Sequence, residues 1–377
     1  MKKSLFFPMT ILYIISLLKT CQQEVNARFE MKTWGKSSDT ENVNLYTLEN
    51  SRGARMQVTN YGAIIVSLTM PDKNGKYEDI VLGYDNLEDY LKVNPYFGAI
   101  VGRFGNRIAF GKFSIGETEY QVPVNSGENH LHGGFEGFDK VLWSAREKPV
   151  DRGVAIELIY NSPDGEMGYP GNFTLMVTYT LTDDNELIID YQGSTDQATI
   201  VNPTHHSYFN LTGNYGTILN HRLMINAEQY TPVNNLLIPT GEIAPVDGTP
   251  MDFRKAKEIG RDIQLDFEQL TFGFGYDHNW VLSGKLGKMK LAATLFEPVS
   301  GRLMEVFTTE PGIQFYSGNF LDGTITGKYD VIYNYRDGLC LEAQHFPDSP
   351  NKPDFPSVVL NPGEIYTQKT VYKFSTR

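Results

Sequence analysis

Cysteine is scarce in this chain, whose 377 residues include Cys21 and Cys340 and no other. Cys21 stands where an amino-terminal segment would be cleaved or a thiol would be lipidated, and either event leaves Cys340 without a partner. No intrachain disulfide is therefore expected. A large apolar core must hold the fold instead.

Basic side chains are also few. Lys and Arg number 33 against 45 Asp and Glu, which gives a formal net charge of −12. A surface this acidic repels the phosphates of nucleic acids and disfavours anionic substrates such as hexose phosphates. The charge therefore argues against a nucleic-acid partner and for a neutral small-molecule ligand.

The sequence has no apolar run of transmembrane length. Lys2 and Lys3 precede an apolar stretch from Leu5 to Leu18, which is too short to cross a membrane and has the length of a signal-peptide core. We therefore expect a signal peptide over residues 1–20 and an exported protein, periplasmic or on the outer surface.

Two cleavage sites are compatible with this segment. Residues 18–21 resemble a lipoprotein site, with cleavage before Cys21 and a lipid anchor on that residue, although Lys19 replaces the usual small or apolar residue. Ordinary cleavage at about residue 27 fits nearly as well. No membrane insertion beyond such an anchor is expected.

Helical periodicity is rare as well. Short helices are predicted at residues 87–92, behind the cap residue Asn86, and at residues 254–259, behind Asp252. From about residue 40 onward, short runs of alternating apolar and polar side chains are separated by Gly, Asn, Asp and Pro. This pattern predicts strands.

The strand pattern is clearest in a predicted hairpin. Residues 173–181 alternate apolar side chains with threonine, a turn follows at 183–185, and residues 187–191 return. Further strands are predicted at residues 55–59, 63–70 and 154–160. No linker, repeat or low-complexity segment divides the chain, so we predict one all-β antiparallel domain over residues 30–377.

Two stretches, residues 202–211 and 341–348, place a histidine and a carboxylate among aromatic side chains. Histidine with glutamate or aspartate is the commonest pair that gives and takes protons near neutral pH. Aromatic neighbours suit a ligand with an apolar ring face and many hydroxyls. A sugar meets this description.

Four of the seven histidines fall in two clusters, His130 with His132 and His205 with His206. Residues two apart on a strand share a face, so His130, His132 and one residue of the second cluster could bind a metal ion. Alternatively, one histidine of each cluster faces a pocket and the other packs elsewhere. No cysteine and no H-E-x-x-H spacing supports the metal.

Several charged residues stand in segments where a ligand could bind. Glu342 lies on an apolar strand, where a carboxylate is costly to bury unless it is paired or used, and alternation puts Cys340 on the same face. A solvent-facing glutamate on an edge strand is the alternative.

Asp277 lies in a polar segment that could be a turn. Arg103 and Arg107 flank glycines that let the backbone approach a ligand, or they form structural salt bridges.

Taken together and in order, these segments resemble the aldose 1-epimerase (galactose mutarotase) family. The resemblance extends from about residue 30 to the carboxyl terminus, and six ordered blocks are much harder to obtain by chance than one motif. The blocks are residues 102–109, 129–134 with 137–143, 204–211, 276–279, 311–319 and 341–348. The resemblance implies a single large antiparallel β-sandwich, the galactose mutarotase-like supersandwich, with a sugar cleft on one sheet and a few short helices.

The resemblance also implies roles for individual residues. Glu342 matches the family's general base, His206 its general acid and His132 its second catalytic histidine. The residues that match the family's sugar-hydroxyl ligands are Asn106, Arg107, Asp277 and Gln314. The family uses no metal and no cofactor. One departure is His205, which stands where Asn is more usual and could alter the orientation of His206.

The implied reaction is mutarotation of an aldohexose such as glucose or galactose. Glu342 would take the proton of the anomeric hydroxyl, and protonated His206 would deliver one to the ring oxygen. Free glutamate, with a pKa of about 4.3, is a weak base, so burial that raises its pKa would help. Two rivals are a glycosidase that uses Asp277 and Glu342 and a non-catalytic sugar-binding module. The sequence does not decide between a monomer and a dimer.

Overall fold

The computed structural model describes residues 27–38, 40–92, 94–213 and 216–377. The expected signal peptide and Cys21 lie outside these residues. Strands dominate the described chain, as the alternating pattern predicts, and the pairings between its named strands are antiparallel. No helix within the described ranges is long and apolar enough to span a bilayer.

The first fourteen strands lie between residues 28 and 195. They are β1 (Arg28–Lys36), β2 (Asn42–Glu49), β3 (Arg55–Thr59), β4 (Ile65–Pro71), β5 (Tyr77–Asp79), β6 (Ile100–Val101), β7 (Arg107–Ile108), β8 (Lys112–Ile115), β9 (Thr118–Gln121), β10 (His130–Leu131), β11 (Ser144–Lys148), β12 (Val154–Ser162), β13 (Phe173–Leu181) and β14 (Glu186–Thr195).

The strands of the second half carry most of the candidate site. They are β15 (Thr199–Ile200), β16 (Thr204–His205), β17 (Arg222–Ile225), β18 (Gln229–Thr231), β19 (Ala244–Pro245), β20 (Lys257–Glu258), β21 (Asp277–Val281), β22 (Lys290–Phe296), β23 (Arg302–Thr308), β24 (Gly312–Tyr316), β25 (Ile325–Thr326), β26 (Ile332–Tyr333), β27 (Cys340–Gln344), β28 (Val359–Leu360) and β29 (Tyr366–Thr376).

Helices are short in the described part of the chain. The α-helices are α1 (Leu87–Tyr90) and α2 (Glu268–Gly273). Single turns of 3-10 helix cover Ala109–Gly111, Phe138–Lys140, Glu166–Gly168, Ile259–Arg261, Lys328–Asp330 and Ser349–Asn351.

Three large sheets organise the strands. The largest has nine strands in the order β11-β12-β13-β14-β29-β23-β22-β17-β20, and a second has five in the order β1-β2-β3-β4-β5. A third, called here the cleft sheet, has the order β19-β18-β21-β24-β27. Two-stranded ribbons pair β6 with β16, β7 with β10, β8 with β9, β15 with β28 and β25 with β26.

The apolar core lies between the nine-stranded sheet and the two five-stranded sheets. Side chains of all three sheets belong to one buried cluster. The Tyr179 hydroxyl of β13 donates to the Ala63 carbonyl (2.8 Å), and that of Tyr372 on β29 donates to Leu341 of the cleft sheet (2.9 Å). Each fully buried large apolar side chain stabilises the fold by roughly 1.5–3 kcal/mol. The predicted β-sandwich is confirmed, and Cys340 is a free thiol.

The local predictions were mostly correct. The hairpin is β13 with β14, and the helix at 87 begins where the Asn86 side chain accepts the backbone N–H of Asp89 (3.0 Å). The predicted helix at residues 254–259 is wrong. Asp252 there accepts the backbone N–H of Arg254 (3.1 Å) in a turn, and the chain continues into β20.

The cleft sheet turns a row of polar side chains to one face. Cys340 and Glu342 share this face of β27, as predicted, and the intervening residue packs into the core. Gln314 on β24 lies directly opposite Glu342, and Tyr316 lies opposite both Cys340 and Asp277. Sheet register therefore brings directly paired residues together that are 24 to 39 positions apart in sequence, and it puts Asp277 and Glu342, 65 positions apart, on the same face.

Candidate active site

A cleft of about 320 Å³ opens on the polar face of the cleft sheet. Six of the seven predicted site residues line it, and Gln314 does not. The lining residues are Pro95, Tyr96, Asn106, Arg107, Ser126, Leu131, His132, His206, Tyr208, Asp277, Tyr316, Phe320 and Glu342. The predicted residues thus converge on one site.

Glu342 lies at the buried floor of this cleft. Its strand β27 is at the edge of the cleft sheet, yet the residue is 2% exposed, so the solvent-facing alternative is wrong. Oε1 lies 3.7 Å from His206 Nε2, and Oε2 has no hydrogen-bond partner among the described residues. Burial raises the pKa of Glu342 well above its usual value, the charge of Asp277 adds to this, and Arg107 opposes it.

Asp277 forms a polar group with two other predicted residues. Gln314 Nε2 donates to Asp277 Oδ1 (2.7 Å), and Arg107 Nη2 lies 3.8 Å from Asp277 Oδ2. Burial raises the pKa of Asp277, whereas Arg107 and Gln314 act in the opposite direction. The hydrogen bond from Gln314 orients the Asp277 carboxylate, while Arg107 and Asp277 present hydrogen-bonding atoms to the cleft.

His205 and His206 point to opposite sides of the chain. His205 Nε2 contacts Ser207 Oγ (2.7 Å), and its ring packs 5.9 Å from that of Tyr179 in the core. His206 lines the cleft and is 4% exposed. Burial lowers the pKa of His206 to about 4, so this histidine is neutral at pH 7.

The other histidine cluster divides in the same way. His130 is buried away from the cleft, where Nδ1–H donates to the Pro123 carbonyl (2.7 Å) and the Tyr169 hydroxyl donates to Nε2 (2.6 Å). His132 lines the cleft. One histidine of each cluster therefore faces the site, which confirms the second of the two alternatives and rules out a metal ion shared by His130 and His132.

The tautomer of His132 is set by the backbone. The backbone N–H of Asn106 donates to His132 Nδ1 (3.1 Å). The backbone N–H of His132 donates in turn to the Asn106 carbonyl (3.1 Å). Both residues have positive φ, 65° and 50°, which brings the two segments together. Since Nδ1 is an acceptor, the ring proton of neutral His132 is on Nε2. Burial keeps its pKa well below the usual value.

A different metal-capable group remains. The ligand atoms of His132, His206 and Glu342 lie within 4.8 Å of one another. A histidine that binds metal through Nε2 normally donates its Nδ1–H to an acceptor, but His132 Nδ1 faces the N–H donor of Asn106. The donor set therefore suits proton transfer better than metal binding, and activity after chelator treatment would test this.

Aromatic rings surround the polar floor. The ring of Tyr96 lies 4.6 Å from that of His132, and Tyr208 lies 5.3 Å from His206. At the rim, Phe320 is 56% exposed and stacks on Tyr316 at 5.9 Å. The sequence predicted aromatic neighbours in general, but Tyr96 and Phe320 lie outside its motif blocks, so only the folded chain identifies them.

Known proteins match this chain over most of its length. The sequence profile of the aldose 1-epimerase family matches residues 44–373. Galactose mutarotase of Mus musculus is 49% identical over 321 residues, which cover 85% of this chain and 91% of that protein. Aldose 1-epimerase of Escherichia coli K12 is 39% identical over 338 residues, covering 89% and 96%.

A solved structure of a related protein has the same fold. The crystal structure of galactose 1-epimerase from Lactobacillus acidophilus superposes with a TM-score of 0.83 at 30% identity, covering 93% of this chain and 99% of that one. Sequence and fold match together over the region that contains the cleft. The chain therefore belongs to the aldose 1-epimerase family.

Proposed function

We propose that this protein is a mutarotase that interconverts the α and β anomers of aldohexoses such as glucose and galactose. The observation that carries the proposal is the buried pair formed by Glu342 and His206, 3.7 Å apart in a cleft with polar and aromatic walls. An acid and a base this close can act on two oxygens of the same sugar carbon. Matching relatives named galactose mutarotase and aldose 1-epimerase support the same reaction.

Substrate binding uses the polar wall of the cleft. Asp277 accepts hydrogen bonds from sugar hydroxyls, and Arg107 and Asn106 donate to sugar oxygens. Phe320, exposed at the rim, offers a flat apolar surface to a sugar ring. These groups need no charge on the ligand, which agrees with the acidic net charge of the protein.

The pair carries one exchangeable proton. Burial disfavours charge on both residues, so the proton is on Glu342. Its transfer to His206 Nε2 creates the base and the acid together, without a change in proton number. The hydroxyls of a bound sugar favour this arrangement because they donate to the Glu342 carboxylate.

Ring opening then follows as a balanced proton relay. Glu342 takes the proton of the anomeric hydroxyl while His206 gives its Nε2 proton to the ring oxygen, so the bond from C1 to the ring oxygen breaks and an aldehyde forms. His132 Nε2–H donates a hydrogen bond to a sugar oxygen. After rotation about C1–C2, the relay runs in reverse and closes the ring on the other face of the carbonyl.

Polarimetry tests the proposal. Freshly dissolved α-D-glucose and α-D-galactose should reach their equilibrium rotation faster with the purified protein, in proportion to its concentration and without release of a new sugar. A folded protein that leaves the spontaneous rate unchanged would favour a sugar-binding module. Cleavage of a glycoside would favour a glycosidase.

We further propose that the enzyme acts outside the cytoplasm. Support comes from Lys2, Lys3 and the apolar run of residues 5–18, all outside the described residues. Mass spectrometry of the native protein should find a mature chain that begins at or soon after Cys21. An intact Met1 would contradict export, and an unmodified terminus near Arg28 would contradict only the lipid anchor.

A further inference from the structure

His206 contacts two side chains of one strand. Its Nε2 lies 3.7 Å from Glu342 Oε1, and its Nδ1 lies 3.6 Å from Cys340 Sγ. Cys340 and Glu342 are two residues apart on β27 and share a face, so the imidazole lies across both. Each ring nitrogen thus has its own protein partner, and the two partners differ in chemistry.

Packing does not decide which nitrogen of His206 faces Glu342. The rings of Tyr96, His132 and Tyr208 lie 5.7, 5.0 and 5.3 Å from the His206 ring. These contacts restrain the plane of the imidazole. A 180° flip, however, exchanges nitrogen and carbon positions of nearly equal size. The polar partners must therefore select the orientation.

Cys340 is suited to this task because its sulfur is neutral. The residue is fully buried, and burial raises the pKa of the thiol well above its usual value, with the charges of Glu342 and Asp277 adding to the effect. A neutral sulfur is a weak acceptor for N–H. Unlike a carboxylate, it orients the ring without holding His206 in its charged form.

His132 has the opposite arrangement. Its Nδ1 accepts a hydrogen bond from the Asn106 backbone, so its proton is on Nε2 and it is a fixed donor. His206 must instead receive a proton from Glu342, and Nε2 is the nitrogen that faces Oε1. Nε2 can accept a proton only if the ring's other proton is on Nδ1, the nitrogen beside Cys340.

We propose that Cys340 is a positioning residue whose sulfur accepts a hydrogen bond from His206 Nδ1–H, which leaves Nε2 as the nitrogen that exchanges a proton with Glu342 and the sugar. This rests on the acid role proposed for His206. The sulfur undergoes no chemistry of its own.

NMR of the protein labelled with 15N at histidine tests the tautomer without any assay. The His206 signals are identified by their loss in His206→Asn. In the unmutated protein at pH 7, we expect the proton of neutral His206 on Nδ1 and that of His132 on Nε2. In Cys340→Ala, His206 should become a mixture of tautomers. A proton on Nε2 of His206 in the unmutated protein would overturn the proposal, whatever the variants do.

Kinetics supply the second readout. Cys340→Ala should lower kcat by about 10-fold to 100-fold with little change in KM, because a misoriented acid affects the transition state more than binding. Cys340→Ser, which keeps an acceptor, should recover most of that rate. Val306→Ala, which shortens a buried side chain on β23, controls for a simple packing defect.

The two proposals can fail separately. Full kcat in Cys340→Ala, or equal losses in Cys340→Ala and Cys340→Ser, would overturn the positioning role. An unmutated protein that does not accelerate mutarotation would overturn the proposed function, and the NMR tautomers would still decide the orientation of His206.

Discussion

Two residues, Glu342 and His206, share one proton in a place where neither charge is well solvated. If they are the base and acid of one ring-opening step, Glu342→Gln and His206→Asn should each lower kcat by about 10²–10⁴-fold. Binding should change far less, because Arg107 and Asp277 still hold the hydroxyls. The double variant should fall well short of the product of the two losses, since both groups serve one transition state.

Matched variants make this test specific. Glu310→Gln removes another buried carboxylate, which pairs with His345 Nδ1 at 2.6 Å outside the cleft, and should keep the activity. Polarimetry gives the rates, and melting curves confirm the fold. Full activity in Glu342→Gln with an unchanged melting curve would contradict the assignment. Equal damage from Asp277→Asn, with glycoside cleavage, would indicate a glycosidase.

The same pair predicts an unusual pH dependence. Activity is lost when the pair gains a second proton, which His206 accepts, and burial has lowered the pKa of His206 to about 4. Activity is also lost when the pair gives up its proton at higher pH, and burial has raised the pKa of Glu342. From pH 7 down to about pH 5, kcat/KM should therefore not fall.

Polarimetry corrected for the spontaneous rate can measure this, with circular dichroism to confirm that the protein stays folded. A histidine with the ordinary pKa of about 6.5 would lose most of its neutral form over the same interval. An acid limb centred near pH 6.5 would show that His206 is not desolvated in solution, and would contradict the proton arrangement proposed here.

Sequence reasoning was most successful for residues whose role depends on their type and order. It identified six residues that line the cleft, and it placed Cys340 on the face of Glu342. It could not predict the hydrogen bond from Gln314 to Asp277, because that contact depends on strand register. The tautomer of His132 could not be predicted either, since it depends on a backbone N–H from a segment 26 residues earlier.

Among the structural elements, the loop after β10 places His132. Gly133, which follows this histidine, has φ +89°, and a Cβ there would meet the Gly102 carbonyl oxygen at 1.7 Å. Gly133→Ala should therefore displace the backbone beside His132, lowering both stability and kcat. The left-handed conformation alone costs roughly 1–2 kcal/mol for alanine, and the clash adds to it.

Gly116 provides a control for the loop. It also has positive φ, +60°, but a Cβ at this position would meet nothing within 4 Å. Gly116→Ala should show the conformational cost alone and leave kcat unchanged. Urea unfolding and polarimetry on both variants separate the two effects. Similar stability and activity in the two variants would contradict the role given to Gly133.

Elements were predictable where local pattern and tertiary packing agree. The hairpin of β13 and β14 has alternating side chains and a polar turn, and it formed with the expected pairing. The helix expected at residues 254–259 did not form, because Lys257 pairs with Leu223 in the nine-stranded sheet. Helix α2 was missed since it is six residues long and its first residue has no side-chain cap.

The sandwich as a whole buries most of its histidines. Six of the seven are at most 6% exposed, namely His130, His132, His205, His206, His221 and His278. Burial lowers the pKa of each, to about 4 for His130 and His221 and to about 3 for His205 and His278. In the unfolded chain these groups titrate near the ordinary value of about 6.5.

The sign of the resulting effect on stability is fixed by linkage. A folded pKa below the unfolded one means that the unfolded chain binds more protons as pH falls, so the stabilisation present above about pH 6.5 is lost progressively below it. Carboxyls with raised pKa, such as Glu342 and Asp277, act in the opposite direction. In the part of the chain that the structure describes, they are fewer than the buried histidines. Between pH 7.5 and 5.5 each histidine should cost about 1.4 kcal/mol of unfolding free energy.

His205→Asn isolates one of these contributions. His205 packs against Tyr179 in the core and does not line the cleft, so the variant should keep His206 in the cleft. Its unfolding free energy should be measured in urea at pH 7.5, 6.5 and 5.5. As the pH is lowered from 7.5 to 5.5, this free energy should fall by about 1.4 kcal/mol less than that of the unmutated protein. Identical slopes in the two proteins would mean that His205 does not stay neutral in the folded state. A free energy that is constant across this range in the unmutated protein would contradict the broader claim that buried neutral histidines limit its stability in acid.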